Sequence, residues 1–248
     1  MTSPFTCRAL ALSGLVLLLG ACQSQAPDTR QPQIQVRQVL SEQRPQGCTA
    51  DNCPLVNVDT LQFADEPALN QLIDARLRAM TRSRPDDQIP PTLDAYRQRF
   101  LQEAAPGWAS YLQAKVREQH GSILVIELSS YLFEGGAHGM PGRGFINYDL
   151  EQDRELVLSD LLEPGASTDF WRHAEKAHWR WLEENEHARD ADFLEHWPFQ
   201  PTPHVALLND RILLKYDVYS IAPYSSGHPE LEIPLADLKG ILRPEYLH

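Results

Sequence analysis

Between Tyr131 and Asp149 the chain runs from an apolar segment through five glycines in the ten residues 135–144 into a second apolar segment, Phe145-Ile-Asn-Tyr-Asp149. Glycine takes positive φ without steric cost and lets backbone approach other groups closely, so this stretch demands a sharply turned connection between two strands. Upstream, Ser122 to Phe133 places Leu124, Ile126, Leu128 and Leu132 on one face and Ile123, Val125, Tyr131 and Phe133 on the other. Side chains alternate across a strand, and a strand apolar on both faces is a central one covered on both sides. Ile146, Tyr148 and Leu150 mark the next strand, and Leu156 and Leu158 a third, after which Ser159 is placed to cap the short turn Asp160-Leu-Leu. This order constrains the fold to a sheet of neighbouring antiparallel strands packed on two sides.

The remaining pattern adds helices to that sheet. Residues 34–40 and 55–63 alternate as strands. A helix follows from Pro67 to Arg82, with Leu69, Leu72, Ile73, Leu77 and Met80 as its core stripe, Asp65 as candidate cap and Pro67 in the first turn. A second helix spans Thr92 to Ala105, with Leu93, Tyr96, Phe100 and Leu101 inward, and ends at Pro106-Gly107. Residues 108–118 alternate in a way that favours a strand. A long helix over Thr168–Glu186 carries Phe170, Ala174, Ala177 and Trp181, with Trp171, His178 and Leu182 beside them, and should pack across the sheet. Residues 205–208 and 211–219, joined by Asn209-Asp210, read as a two-residue hairpin. Leu231–Leu235 is a last strand and Ala236–Leu242 a last short helix. Strands and helices in runs, without strict alternation, indicate an α+β fold with a mainly antiparallel sheet and helices packed on it. The segments group as two small α/β subdomains in tandem, 34–120 and 121–248.

The N-terminus reads as an address. Arg8 precedes the apolar run Ala9–Ala21, too short to span a bilayer and of the length of a signal-peptide core. The run ends in Leu19-Gly20-Ala21-Cys22, which resembles the bacterial lipobox and implies a signal peptide over 1–21 and a lipidated Cys22. Residues 22–33 then form a flexible tether. Gln23 rather than aspartate after the cysteine points to the outer membrane over the inner one, with the chain facing the periplasm. Of the other cysteines, Cys7 falls within the signal, leaving Cys48 and Cys53. In an oxidising compartment this pair closes as a disulfide; a metal site would need further ligands, and no other Cys or His pair lies nearby.

The chain holds 34 acidic against 22 basic residues, net −12 at pH 7. Such a surface repels nucleic acid and anionic lipid headgroups and attracts basic proteins. Metal binding finds no support: His173 and His178 are five apart, which does not place them on one helical face. With His187 and His196 they read as surface or interface histidines. No serine or cysteine sits in a nucleophile motif, and no cofactor is implied.

From about residue 122 to 242 the chain resembles the C-terminal extracellular domain of the anti-sigma factor RsiV, a domain family also found beside the deacetylase module of PdaC. The resemblance rests on Tyr131, on Gly135-Gly136-Ala137-His138-Gly139, on Asn147-Tyr148-Asp149 and on Leu158-Ser159-Asp160-Leu161. It continues through Tyr216, Tyr219, Pro223-Tyr224, Gly227 and Glu232-Ile-Pro-Leu235. Residues 54–120 match the companion domain more loosely. The resemblance implies a ligand-binding envelope domain and, as partner, a basic protein such as lysozyme or another cell-wall hydrolase. It carries over no anti-sigma role, because a lipid anchor stands where that family has a membrane span, and no deacetylase role, because no such module fits. His228 departs from the family's usual small residue or proline.

The candidate ligand-binding residues are Tyr131, Gly135, Gly136, His138, Gly139, Asn147, Asp149, Tyr219 and Tyr224. Three readings of the motif stand side by side: a loop locked structurally by His138 with Asn147 or Asp149, a recognition edge, and a catalytic His138–Asp149 pair assisted by Glu134. The corresponding functions are a binding module, with immunity against a delivered toxin as a variant, and a peptidoglycan-acting enzyme or accessory subunit.

Overall fold

Helix α1 (Pro67–Ala79) buries Leu69, Ile73 and Leu77, and helix α2 (Leu93–Glu103) buries Tyr96 and Phe100, against one face of a six-stranded sheet. The computed structural model describes residues 34–84 and 86–247. The signal peptide, Cys22 and the tether lie outside the described residues. The sheet runs in chain order: β1 (Val36–Gln43), β2 (Leu55–Phe63), β3 (Ala109–His120), β4 (Ile123–Phe133), β5 (Met140–Asp149) and β6 (Arg154–Leu156). All pairs are antiparallel except β2 and β3, which are parallel because the chain crosses from one to the other through both helices. The boundary expected at residues 120/121 falls in the turn between β3 and β4, so the sheet continues across it.

A second, antiparallel sheet of β7 (Val205–Leu207), β8 (Arg211–Lys215) and β9 (Glu230–Pro234) lies beyond the opposite face. Ile123, Val125 and Leu156 pack there with Leu161 and Leu162, with the buried residues of β7 to β9, and with Phe170, Ala174 and Ala177 of α4 (Ser167–Glu184). Each fully buried Leu, Ile or Phe in these two cores contributes roughly 1.5–3 kcal/mol of transfer free energy. The central strand is thus covered on both sides over Ile123–Ile126, where both faces are buried. Beyond Glu127 the face away from α1 opens to solvent.

Several local expectations change. α4 packs on β9 of the second sheet, not across the main one. Asp65 does not cap α1; Glu66 is the N-cap residue, without a side-chain bond, and Pro67 opens the helix. Instead Asn70 joins β2 to α1, its Oδ1 accepting from Phe63 N at 2.9 Å and its Nδ2 donating to Phe63 O at 2.7 Å. Thr92 caps α2 through Ala95 N. The third strand ends at Leu156, and α3 (Leu158–Leu161) is started by Asp160, whose carboxylate accepts from Val157 N, rather than by Ser159. β5 begins at Met140, inside the glycine-rich stretch, since its glycines pair with β4 as extended backbone. β8 stops at Lys215, and the helix expected over Ala236–Leu242 is a 3₁₀ turn over Leu235–Leu238, with a further 3₁₀ turn at Pro244–Tyr246. Helix α5 (Ala191–His196), capped by Asp190, occupies a charged stretch with no amphipathic period. Cys48 and Cys53 form a disulfide. Among the described residues no helix is long and apolar enough to cross a membrane.

Candidate functional site

The turn between β4 and β5 is organised around the backbone of one residue. Gly139 N donates to the Tyr131 hydroxyl at 3.0 Å, and Gly139 O accepts from the Tyr224 hydroxyl at 3.0 Å. The same carbonyl faces His138 Nδ1 at 3.1 Å, which assigns the proton to that nitrogen. Gly139 is buried, and a Cβ there would stand 2.5 Å from Tyr131 Cζ and 2.6 Å from Leu132 O. The position therefore admits only glycine. Gly135 and Gly136 supply the reversal, with φ of 93° and 91°.

This turn carries a set of aromatic rings. His138 lies flat against Tyr224, ring centroids 3.8 Å apart and planes 22° apart. Tyr219 stands beside both, 5.7 Å from Tyr224 and with its hydroxyl 3.4 Å from His138 Nε2. Trp197, at the end of α5, continues the row 6.4 Å beyond Tyr219. Tyr219 is 46% exposed and has φ 66°, a left-handed conformation that is a genuine outlier for a bulky residue. Such strain persists only where the surroundings enforce it, and it concentrates at ligand-contacting positions. Here the chain leaves β8 at Lys215, buries Tyr216, whose hydroxyl donates to Gln200 O, and swings Tyr219 outward over the β4–β5 turn.

Behind the rings lies a charged network. Asp217 accepts from Arg143 N at 2.8 Å and faces His204 Nε2 at 3.0 Å. Burial opposes its ionisation, but the hydrogen bond and charge of His204 and the Arg143 N–H hold its carboxyl below the usual value. Lys215 bridges Glu127 at 2.6 Å and Glu230 at 2.7 Å. His228 faces Tyr216 O through Nδ1 at 2.9 Å, and burial lowers its pKa. Together with the donation of Tyr216 N to Pro229 O at 2.9 Å, that contact ties the last loop to the residue that follows β8.

The structure divides the anticipated site residues. Tyr131, His138, Gly139, Tyr219 and Tyr224 converge, with Gly135 and Gly136 shaping their turn. Asn147 and Asp149 do not join them. Asn147 is buried at the junction of the two sheets, where Nδ2 donates to Val205 O at 2.9 Å and Oδ1 accepts from Leu207 N at 2.7 Å. Asp149 caps the β5–β6 turn, accepting from Glu151 N, Gln152 N and Gln152 Nε2. His138 and Asp149 flank opposite ends of β5, roughly 30 Å apart at the rise of an extended strand, so they form no pair. Glu134 lines a separate hollow beside α2 with Arg99 and Trp108.

Trp197, Asp217, His204 and Arg143 join the site without a sequence signal, since they reach it from four separate segments. His178, read as a surface or interface histidine, is 3% exposed between Trp181 and Phe199, and burial lowers its pKa. His187 stacks on Phe193 at 3.8 Å. Among the described residues no three His, Cys, Asp or Glu side chains gather as a metal site. Both nitrogens of His138 face partners, Nδ1 the Gly139 carbonyl and Nε2 the Tyr219 hydroxyl.

Comparison with known proteins places this arrangement. The family model described as a protein of unknown function, DUF3298, matches residues 159–236. A crystal structure of a DUF3298 family protein from Pseudomonas aeruginosa PAO1 is 54% identical, with a TM-score of 0.83, covering 87% of this chain and 97% of that one. A DUF3298 member from Bacteroides fragilis shares the fold at 20% identity and a TM-score of 0.66, covering 85% of this chain and 94% of that one. No curated protein matches the chain. At 54% identity to a solved member, aligned over 87% of this chain and 97% of that one, the chain belongs to the DUF3298 family.

Proposed function

We propose that this protein is a periplasm-facing lipoprotein, anchored through Cys22 and more suited to the outer than the inner membrane, whose DUF3298 domain is a binding module for a basic protein. A lysozyme, or another cell-wall hydrolase, is the first candidate. One observation carries the reading: the motif turn spends its polar groups internally and presents the rings of His138, Tyr224 and the strained, exposed Tyr219. Exposed aromatic rings with Trp197 alongside have the composition of binding hot spots. The net charge of −12 favours a basic partner, and the resemblance of the motif to the RsiV domain supports lysozyme in particular.

Calorimetry of the purified protein with several lysozymes, at low and moderate salt, tests this. We expect binding that weakens as salt rises, because exposed charges are screened, and that is lost in Tyr219→Ala. No heat with any lysozyme would remove the lysozyme assignment. The anchor is tested apart from the ligand: Cys22→Ser should release the protein from membranes into the soluble periplasmic fraction.

A further inference from the structure

The open face of the six-stranded sheet carries a hollow of roughly 280 Å³, at the lower end of the size range of small-molecule sites. Tyr111 of β3 and Tyr131 of β4 wall it, their rings 6.1 Å apart and tilted by 60°, with Tyr111 40% exposed. Asn57, Gln113 and Ser129 project from the same face as these tyrosines, because Asn57 pairs with Tyr111 and Gln113 with Ser129 in register. Arg143 of β5, opposite Ser129, closes one side.

Arg143 is the unusual member. Its guanidinium is half-buried, and its hydrogen bond is a donation from Nη1 to Gly142 O at 2.8 Å. Among the described residues it makes no ion pair. The carboxylates whose charge reaches it are engaged elsewhere: Glu127 and Glu230 by Lys215, and Asp217 by His204. A half-buried guanidinium with donors beyond its bond to Gly142 O can receive an anion of planar, two-oxygen geometry. The carboxylates of Glu127, Asp217 and Glu230 oppose a dianion such as phosphate more strongly than a singly charged carboxylate. The tyrosine rings offer flat apolar surface for the C–H face of a sugar. Gln113 Nε2 donates to Asp59 at 2.7 Å and Asn57 Nδ2 to Glu42 at 3.4 Å, so their amide oxygens, with the Ser129 hydroxyl, are the groups that suit its hydroxyls.

We propose that this hollow binds a carboxylate-bearing saccharide, stacked on Tyr111 and Tyr131, with Arg143 holding the carboxylate. The hollow adjoins the aromatic row and shares Tyr131 and Arg143 with its surroundings, but the proposal rests on the sheet face and on the Arg143 guanidinium, not on Tyr219 or Trp197.

The test is an NMR titration of the full chain with D-glucuronate and N-acetylmuramate, with D-glucose and N-acetylglucosamine as their uncharged counterparts and acetate as a carboxylate without a ring. At least one acidic sugar should shift the signals of Tyr111, Tyr131 and Arg143 and bind about tenfold or more tightly than its uncharged counterpart and than acetate. Arg143→Met, which keeps the backbone bond to Asp217, should abolish the preference for the acidic sugar. Tyr111→Ala, at an exposed position, should weaken acidic and neutral sugars together. The proposal is overturned if neither acidic sugar perturbs these residues up to about 50 mM. It is equally overturned if acetate binds as tightly as the acidic sugars, or if Arg143→Met and Arg143→Gln both retain the preference in a spectrum that shows them folded.

Discussion

Asn147 holds the two sheets together by gripping the backbone of β7 on both sides of Ala206, donating to Val205 O at 2.9 Å and accepting from Leu207 N at 2.7 Å. β7 lies against β5 at this point, and the amide completes polar groups that would otherwise be buried without partners. Asn147→Leu keeps the approximate volume but strands both. We expect a loss of about 3 kcal/mol in urea unfolding, from two unsatisfied buried groups. Ligand binding at the aromatic row should persist under conditions where the variant is folded.

Gly139→Ala tests the close approach at the motif turn. Its Cβ would meet the Tyr131 ring and the Leu132 carbonyl well inside contact distance, so ring or backbone must move. Overpacking of this kind costs about 1–3 kcal/mol. Because Tyr131, Tyr224 and His138 all address the Gly139 backbone, the aromatic row should lose its arrangement as well. Denaturation and partner binding should therefore both suffer in this variant.

Tyr219 separates function from stability. Its left-handed backbone stores strain of about 1–2 kcal/mol, and asparagine accepts that conformation more readily. Relief of strain should offset the lost ring contacts, leaving Tyr219→Asn within about 0.5 kcal/mol of wild type while partner binding falls by about tenfold or more. A variant that binds normally would show that the exposed ring is not a contact.

The pH dependence of stability follows from groups held in a non-aqueous setting. His178 and His228 have lowered pKa values, burial being the largest cause in each, so the unfolded chain takes up their protons first. Their contribution is present above the ordinary histidine value and is lost as pH falls from there through the folded values. Asp217, also lowered, adds a second loss below the ordinary carboxylate range, as pH falls through its folded value. We expect urea midpoints to drop between about pH 7.5 and about pH 5.5 and again in stronger acid. His178→Phe should flatten the first drop, since Trp181 and Phe199 already surround the ring with apolar surface.

Much of the sheet was legible because its pattern is local. Alternation over Ile123–Phe133 and the stripe Leu69, Ile73 and Leu77 are consequences of side-chain direction along a strand and a helix, and both elements stand where the pattern puts them. The short-range polar features were less legible. Glu66 rather than Asp65 stands at the N-cap of α1, and Asp160 rather than Ser159 secures α3, because one residue of offset decides which oxygen reaches a free N–H. Helix α5 has too few residues to show a period, and His178 looked exposed because a position beside the main stripe is buried only if something packs there.

The sequence by itself determined the motif turn, since glycines at 135, 136 and 139 are demanded by backbone angle and by contact distance whatever surrounds them. It also determined the acidity of the chain and the pairing of two cysteines five residues apart. Only the tertiary structure decided which residues gather at the motif. It sent Asn147 and Asp149 to structural duties at the far end of β5, and brought Tyr219, Tyr224 and Trp197 to His138 from distant segments. Local pattern records which way a side chain points, whereas a site depends on which separate elements arrive at one place, and that is settled by how two cores close on the two faces of a sheet.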